Sequence, residues 1–219
     1  MGRSLAPGSD HARGLAIAAG AVLLISFDAL LVRLAAAPHW DIVFWRGTLI
    51  ALTLGSWMLI TGQRPRWPAA GRDRWLIALS VVMLSGNTTL FVLSVTYTAA
   101  ANTVVILAAS PFFAALFSAL FLRERVALRT WAAIAVAMAG VVVVFGGGMR
   151  GGTGLGDFFA MTLAITVGGH LTILRRFPTV PRLPLICLSG ILAALTAIAF
   201  ASPLSLSAGS YAVIAVMGI

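Results

Sequence analysis

Asp28, Arg46 and His170 are ionisable residues set inside runs made otherwise almost wholly of aliphatic, Gly and aromatic side chains. A carboxylate and an imidazole can take up and release protons, and a guanidinium can pair with that carboxylate or with an anionic solute. Asn87, with Thr88 and Thr89, forms a polar cluster in another such run, and Ser110 precedes Pro111 in a further one. Pro111 has no N–H to give the carbonyl of Leu107, which leaves that backbone oxygen available. These groups suit substrate binding coupled to proton exchange. No Ser–His or His–His–Asp arrangement at catalytic spacing appears, so an enzyme is not expected. The single Cys187 excludes an internal disulfide and a multi-Cys metal site, and His170 has no second His or Cys nearby. Neither a metal nor a cofactor is expected.

Each candidate also has a plainer reading. Asp28 and Arg46 form either a coupling or substrate-binding pair or a salt bridge that locks two helices. At 1.5 Å per residue, Asp28 lies about 9 Å and Arg46 about 6 Å inside the same end of their runs, so an antiparallel pair would bring them together. His170 is a proton carrier or a buried imidazole bonded to a Ser or Thr; Gly168 and Gly169 beside it admit a close backbone or a ligand. Asn87, Ser110 and Pro111 line a substrate path or supply interhelical bonds and a kink. Arg33, about 140° around the helix from Asp28, sits at the helix end, can snorkel outward and is expected to be a structural anchor. Asp41 is expected to N-cap the second run, and Glu124 to pair at a helix end.

Long apolar helices must position these residues. The chain of 219 residues is 60% hydrophobic and 10% charged, with mean hydropathy +1.03. Seven segments approach the roughly 20 residues needed to span a bilayer: 14–34, 42–61, 75–96, 100–122, 128–146, 158–174 and 184–202. An eighth begins at Tyr211. The 15 basic side chains are all Arg, and twelve fall in the N-terminal segment and every second gap, against Arg150 alone in the others. Short cytoplasmic loops retain positive charge, so the alternation predicts a multi-pass inner (plasma) membrane protein with a cytoplasmic N-terminus. The net charge of +9 is thereby a topology signal and not a nucleic-acid surface. The partners expected are the lipid bilayer and a small-molecule substrate. A signal peptide ending at Ala35-Ala36-Ala37 fits less well, because that run is long and carries Asp28 and Arg33.

The chain repeats weakly. Shifted by 142 residues, Gly14 meets Gly156, Ser26 meets Gly168, Asp28 meets His170 and Arg33 meets Arg175. Five spans separate the copies, so the second is inverted, as in secondary transporters. The expected organisation is a cytoplasmic tail (1–13), a first five-helix repeat (14–146), a Gly-rich linker (147–156) and an incomplete second repeat (157–219). The fold class expected is therefore an all-α polytopic membrane protein of inverted five-helix repeats, truncated at seven spans plus part of an eighth. A homodimer or a completing chain would fill the gap. A non-transporting subunit or inactive fragment is the alternative function.

Several local patterns carry a family resemblance over the chain after residue 13. They are Phe44-Trp45-Arg46, Thr96-Tyr97-Thr98-Ala99-Ala100, Pro111 followed by Leu122-Arg123-Glu124-Arg125, Ala139-Gly140-Val141 and Leu155-Gly156-Asp157. In order and spacing the chain resembles EamA-type transporters of the drug/metabolite transporter superfamily. The resemblance implies alternating-access transport of small organic metabolites or drugs, export being the expected direction, usually driven by an ion gradient.

Overall fold

The computed structural model of the chain describes residues 20, 27–62, 71–124, 127–146, 154–202, 206 and 208–218. The N-terminal tail, most of the first expected span and linker residues 147–153 lie outside them. The described residues are helical, with no strand among them. The end of the first span, 27–34, is α1. It is followed by α2 (His39–Thr61), α3 (Gly71–Tyr97), α4 (Ala100–Leu107), α5 (Ser110–Phe121), α6 (Leu128–Gly146), α7 (Gly154–Arg176), α8 (Arg182–Ala197) and α9 (Ala208–Gly218).

Among the described residues, four units are long and apolar enough to cross a membrane: His39–Thr61, Asp73–Tyr97, Ala100–Phe121 and Gly154–Arg176; Arg182–Ala197 is a shorter apolar helix. Helix ends follow local chemistry. Gly62 closes α2 in the left-handed conformation (φ 64°), and its N–H reaches the carbonyls of Leu59 and Met58. The span expected as one helix at 100–122 is two. Ala108 and Ala109 interrupt it in tight turns while keeping right-handed dihedrals. Pro111 then sits in the first turn of α5, where a missing N–H costs no helical bond. The seventh span ends at Ala197, earlier than the expected 202. The sixth begins at Gly154, inside the stretch expected as linker.

The packing pairs α2 with α8 and α3 with α7; α5 leans on α7, α3 touches α8, and α2 touches α9. Small side chains let these apolar surfaces mesh. The core gathers Ala29, Val32 and Ala35 of the first span and its exit, Ile42 and Val43 of α2, Phe91, Val92 and Val95 of α3, Leu163 of α7, Ala193 and Ala197 of α8 and Ile214 of α9. Where lipid replaces water as the outer solvent, such close packing and interhelical hydrogen bonds supply most of the cohesion.

Candidate functional site

Asp28 and Arg46 meet across α1 and α2. Arg46 Nη1 donates to Asp28 Oδ1 at 2.9 Å and Nη2 approaches Oδ2 at 2.8 Å, a two-point fork. Both side chains are 19% exposed. The guanidinium lies 5.6 Å from the ring centroid of Phe91 on α3. Its Nε is buried with no hydrogen-bond partner among the described residues. The pair thus joins three helices, satisfies both carboxylate oxygens and leaves the buried Nε–H unused. Removing the carboxylate would remove a fork worth more than a neutral bond and leave a cation in an apolar site.

His170 and Asn87 lie on a different seam, between α3 and α7. His170 is buried, and its Nδ1 stands 2.8 Å from Ser80 Oγ. Thr166 donates to Asn87 Oδ1 at 2.6 Å. These bonds use His170 and Asn87 to join helices. Gly168 and Gly169 also serve packing: a Cβ on Gly168 would stand 2.6 Å from that of Phe113, and Gly169 faces the Met83 side chain. Ser110 opens α5, and Pro111 lines a cavity of about 760 Å³ with residues of α5, α6 and α7. The sequence candidates therefore fall into three places: the Asp28–Arg46 pair, the Asn87–His170 seam and the Ser110–Pro111 turn.

A polar hub not foreseen in the sequence lies at the Arg-poor ends of the helices. Arg33 is exposed at its helix end and anchors there. Its Nη2 donates to the carbonyl of Thr98 at 2.7 Å and reaches that of Val95 at 3.5 Å, placing a cation on the last turn of α3. Thr98 Oγ1 donates to Asp157 Oδ1 at 2.8 Å and accepts from Asn102 Nδ2 at 3.2 Å. Ser94 Oγ stands 2.7 Å from Thr103 Oγ1 and donates to the carbonyl of Gly156 at 3.0 Å. Asp41 does not cap α2, whose N-cap is Pro38. It is fully buried, and its Oδ1 accepts the backbone N–H of Ser202 at 2.6 Å. Glu124 pairs with Arg175 at 4.0 Å. Among the described residues, no group of three or more His, Cys, Asp or Glu could hold a metal ion.

Comparison with the curated proteins finds no match. Among solved structures, the chain is similar to a protein known by its crystal structure, at TM-score 0.64 and 20% sequence identity, over 91% of this chain and 75% of the other. That likeness establishes the fold. The model of the EamA-like transporter family matches residues 12–146, which takes in α1 to α6. The chain belongs to the EamA-like transporter family, membrane transporters of the drug/metabolite transporter superfamily.

Proposed function

We propose that the chain is a secondary transporter that moves a small organic metabolite or drug by alternating access, with Asp28 and Arg46 as the coupling and substrate-binding pair. The observation that carries this is the bidentate pair itself, three-helix bound and mostly buried, with the guanidinium Nε–H unused. Charges at this depth are rarely retained without a use. Proton uptake by Asp28 would free Arg46 for an anionic or carbonyl-bearing solute; proton release would restore the fork. Asn87 and His170 extend a polar seam along α3 and α7, and Ser110 and Pro111 supply a break in the α4–α5 span. The orientation is N-terminus inside, in the inner membrane, on the Arg asymmetry of the loops.

The architecture in this reading is a pair of inverted repeats. The contact pattern supports it. If α7, α8 and α9 are the second copies of the first, second and third spans, then α3–α8 and α2–α9 are one contact seen twice, and α2–α8 lies on the pseudo-two-fold axis. The outer ends are tied across the repeats by Thr98–Asp157 and by Asp41–Ser202. The described cavities have their arginines at the opposite end, with Arg74, Arg175, Arg176 and Arg182 in their walls.

The test is reconstitution of the whole chain in liposomes loaded with a pH-sensitive dye, challenged with a panel of amino acids, aromatic carboxylates and cationic dyes. Solute-driven proton movement that disappears in Asp28→Asn, with insertion unchanged, is the expected result. Full movement in both Asp28→Asn and His170→Gln would sink the coupling role.

A further inference from the structure

Between α5, α6 and α7 at the Arg-rich end, the cavity of about 760 Å³ has unlike levels along its helices. Glu124, Thr130, Arg175 and Arg182 line it near the helix ends. Ile134 and Leu171 lie one turn deeper on the same faces of α6 and α7 as Thr130 and Arg175, and make its wall apolar there. Two guanidiniums against one carboxylate leave one positive charge. The cations are loosely engaged. Arg175 reaches Ser118 Oγ only at 3.4 Å and Glu124 only at 4.0 Å, with side-chain exposures of 56% and 50% for the ion pair. Arg182 has no hydrogen bond or ion pair among the described residues.

Arg182 is also placed against local electrostatics. It is the first residue of α8. The start of a helix is already positive, so a cation there is opposed by the dipole and an anion is favoured. Glu124 is held in place by the exit of α5, where its N–H bonds to the carbonyl of Ser118 through Arg123 in a left-handed turn (φ 54°). That turn spends strain to point a carboxylate next to Arg175, which lowers the site's charge from two to one.

We propose that this cavity binds an anionic phospholipid of the adjoining leaflet, its phosphate between Arg175 and Arg182 and an acyl chain along the Leu171–Ile134 wall. A single net positive charge matches the single negative charge of a phosphodiester, and basic pockets between spans at the Arg-rich side recognise such headgroups. The apolar wall explains why the ligand is an amphiphile and not a free anion. The site uses neither Asp28 nor Arg46, although Pro111 is part of its lining. The proposed orientation enters only in naming the leaflet as cytoplasmic.

The experiment is native mass spectrometry of the whole chain from mixed micelles of phosphatidylglycerol and phosphatidylcholine, with Arg182→Ala, Arg175→Ala/Arg182→Ala and the control Arg129→Ala. The expected result is a phosphatidylglycerol adduct on the parent and on Arg129→Ala, weakened at least tenfold in Arg182→Ala and lost in the double variant. Thermal unfolding separates binding from folding. Phosphatidylglycerol raises the Tm of the parent and not of Arg182→Ala, while without lipid Arg182→Ala is no less stable than the parent. Equal adducts in parent and Arg182→Ala overturn the proposal. So does displacement of the lipid by excess inorganic phosphate, which would make the cavity a site for soluble anions.

Discussion

Gly47 and Gly190 approach each other reciprocally: a Cβ on Gly47 would lie 2.6 Å from the Gly190 carbonyl oxygen, and a Cβ on Gly190 would lie 2.8 Å from that of Gly47. The two stand 143 residues apart (190 − 47), one more than the offset that aligns the repeats. Each therefore occupies nearly the same place in its own copy, and the crossing of α2 and α8 has the symmetry of the proposed fold. Backbones this close cannot admit a methyl group without moving.

Gly47→Ala and Gly190→Ala should each destabilise the bundle by about 1–3 kcal/mol, the range for forcing atoms into a filled core. Because both substitutions push the same two helices apart, the double variant should cost less than the sum. Thermal unfolding in detergent checks this. Additive losses would mean that the two methyl groups are accommodated independently, and that the crossing is not one rigid contact.

The Asp28–Arg46 fork gives a second prediction. Removing one partner of a buried pair strands the other, at about 3–5 kcal/mol, while removing both is far cheaper. Asp28→Asn and Arg46→Gln should each lower stability, and the double variant should recover much of it. A coupling energy near zero from the double-mutant cycle would mean that the ion pair contributes nothing within the folded chain.

These two sites differ in how far they could be read without coordinates. The α-class, the approximate spans and the Asp28–Arg46 partnership follow from hydropathy, from loop charge and from the similar depths of two charges on consecutive spans. Thr98 and Asp157 do not. Each sits in a pattern that sequence inspection singles out, but nothing along the chain says that a turn at 97–99 meets a helix start 59 residues later. Asp41 misled for a related reason. Its spacing suits a cap, but α2 begins two residues earlier, and the carboxylate turns inward to Ser202. Long-range polar pairing leaves no local periodicity, so it was invisible.

The outer-end hub yields a third prediction. Hydrogen bonds to charged groups are worth about 1.5–3 kcal/mol, or roughly 10–100-fold in an opening equilibrium. In a Cys187→Ser background, Ala160→Cys places a thiol at a fully buried position on α7. Its reaction with a membrane-impermeant maleimide from the Arg-poor side should accelerate by at least tenfold when Thr98→Val or Asp41→Ala is added. Unchanged rates in both would show that these bonds do not hold that end closed.

His170 tests whether the α3–α7 seam is structural or also carries protons. Ser80 is fully buried against it, so Ser80→Ala leaves an imidazole nitrogen without its partner, at about 1–3 kcal/mol. His170→Gln keeps a side chain able to bond Ser80 but has no imidazole to take up a proton. If the imidazole only joins helices, His170→Gln should preserve both Tm and solute-driven proton movement, and Ser80→Ala should lower Tm alone. If it relays protons, His170→Gln should keep the Tm and lose the pH dependence of transport. The second pattern would place two titrating groups in one cycle, on the two positions that the repeat aligns.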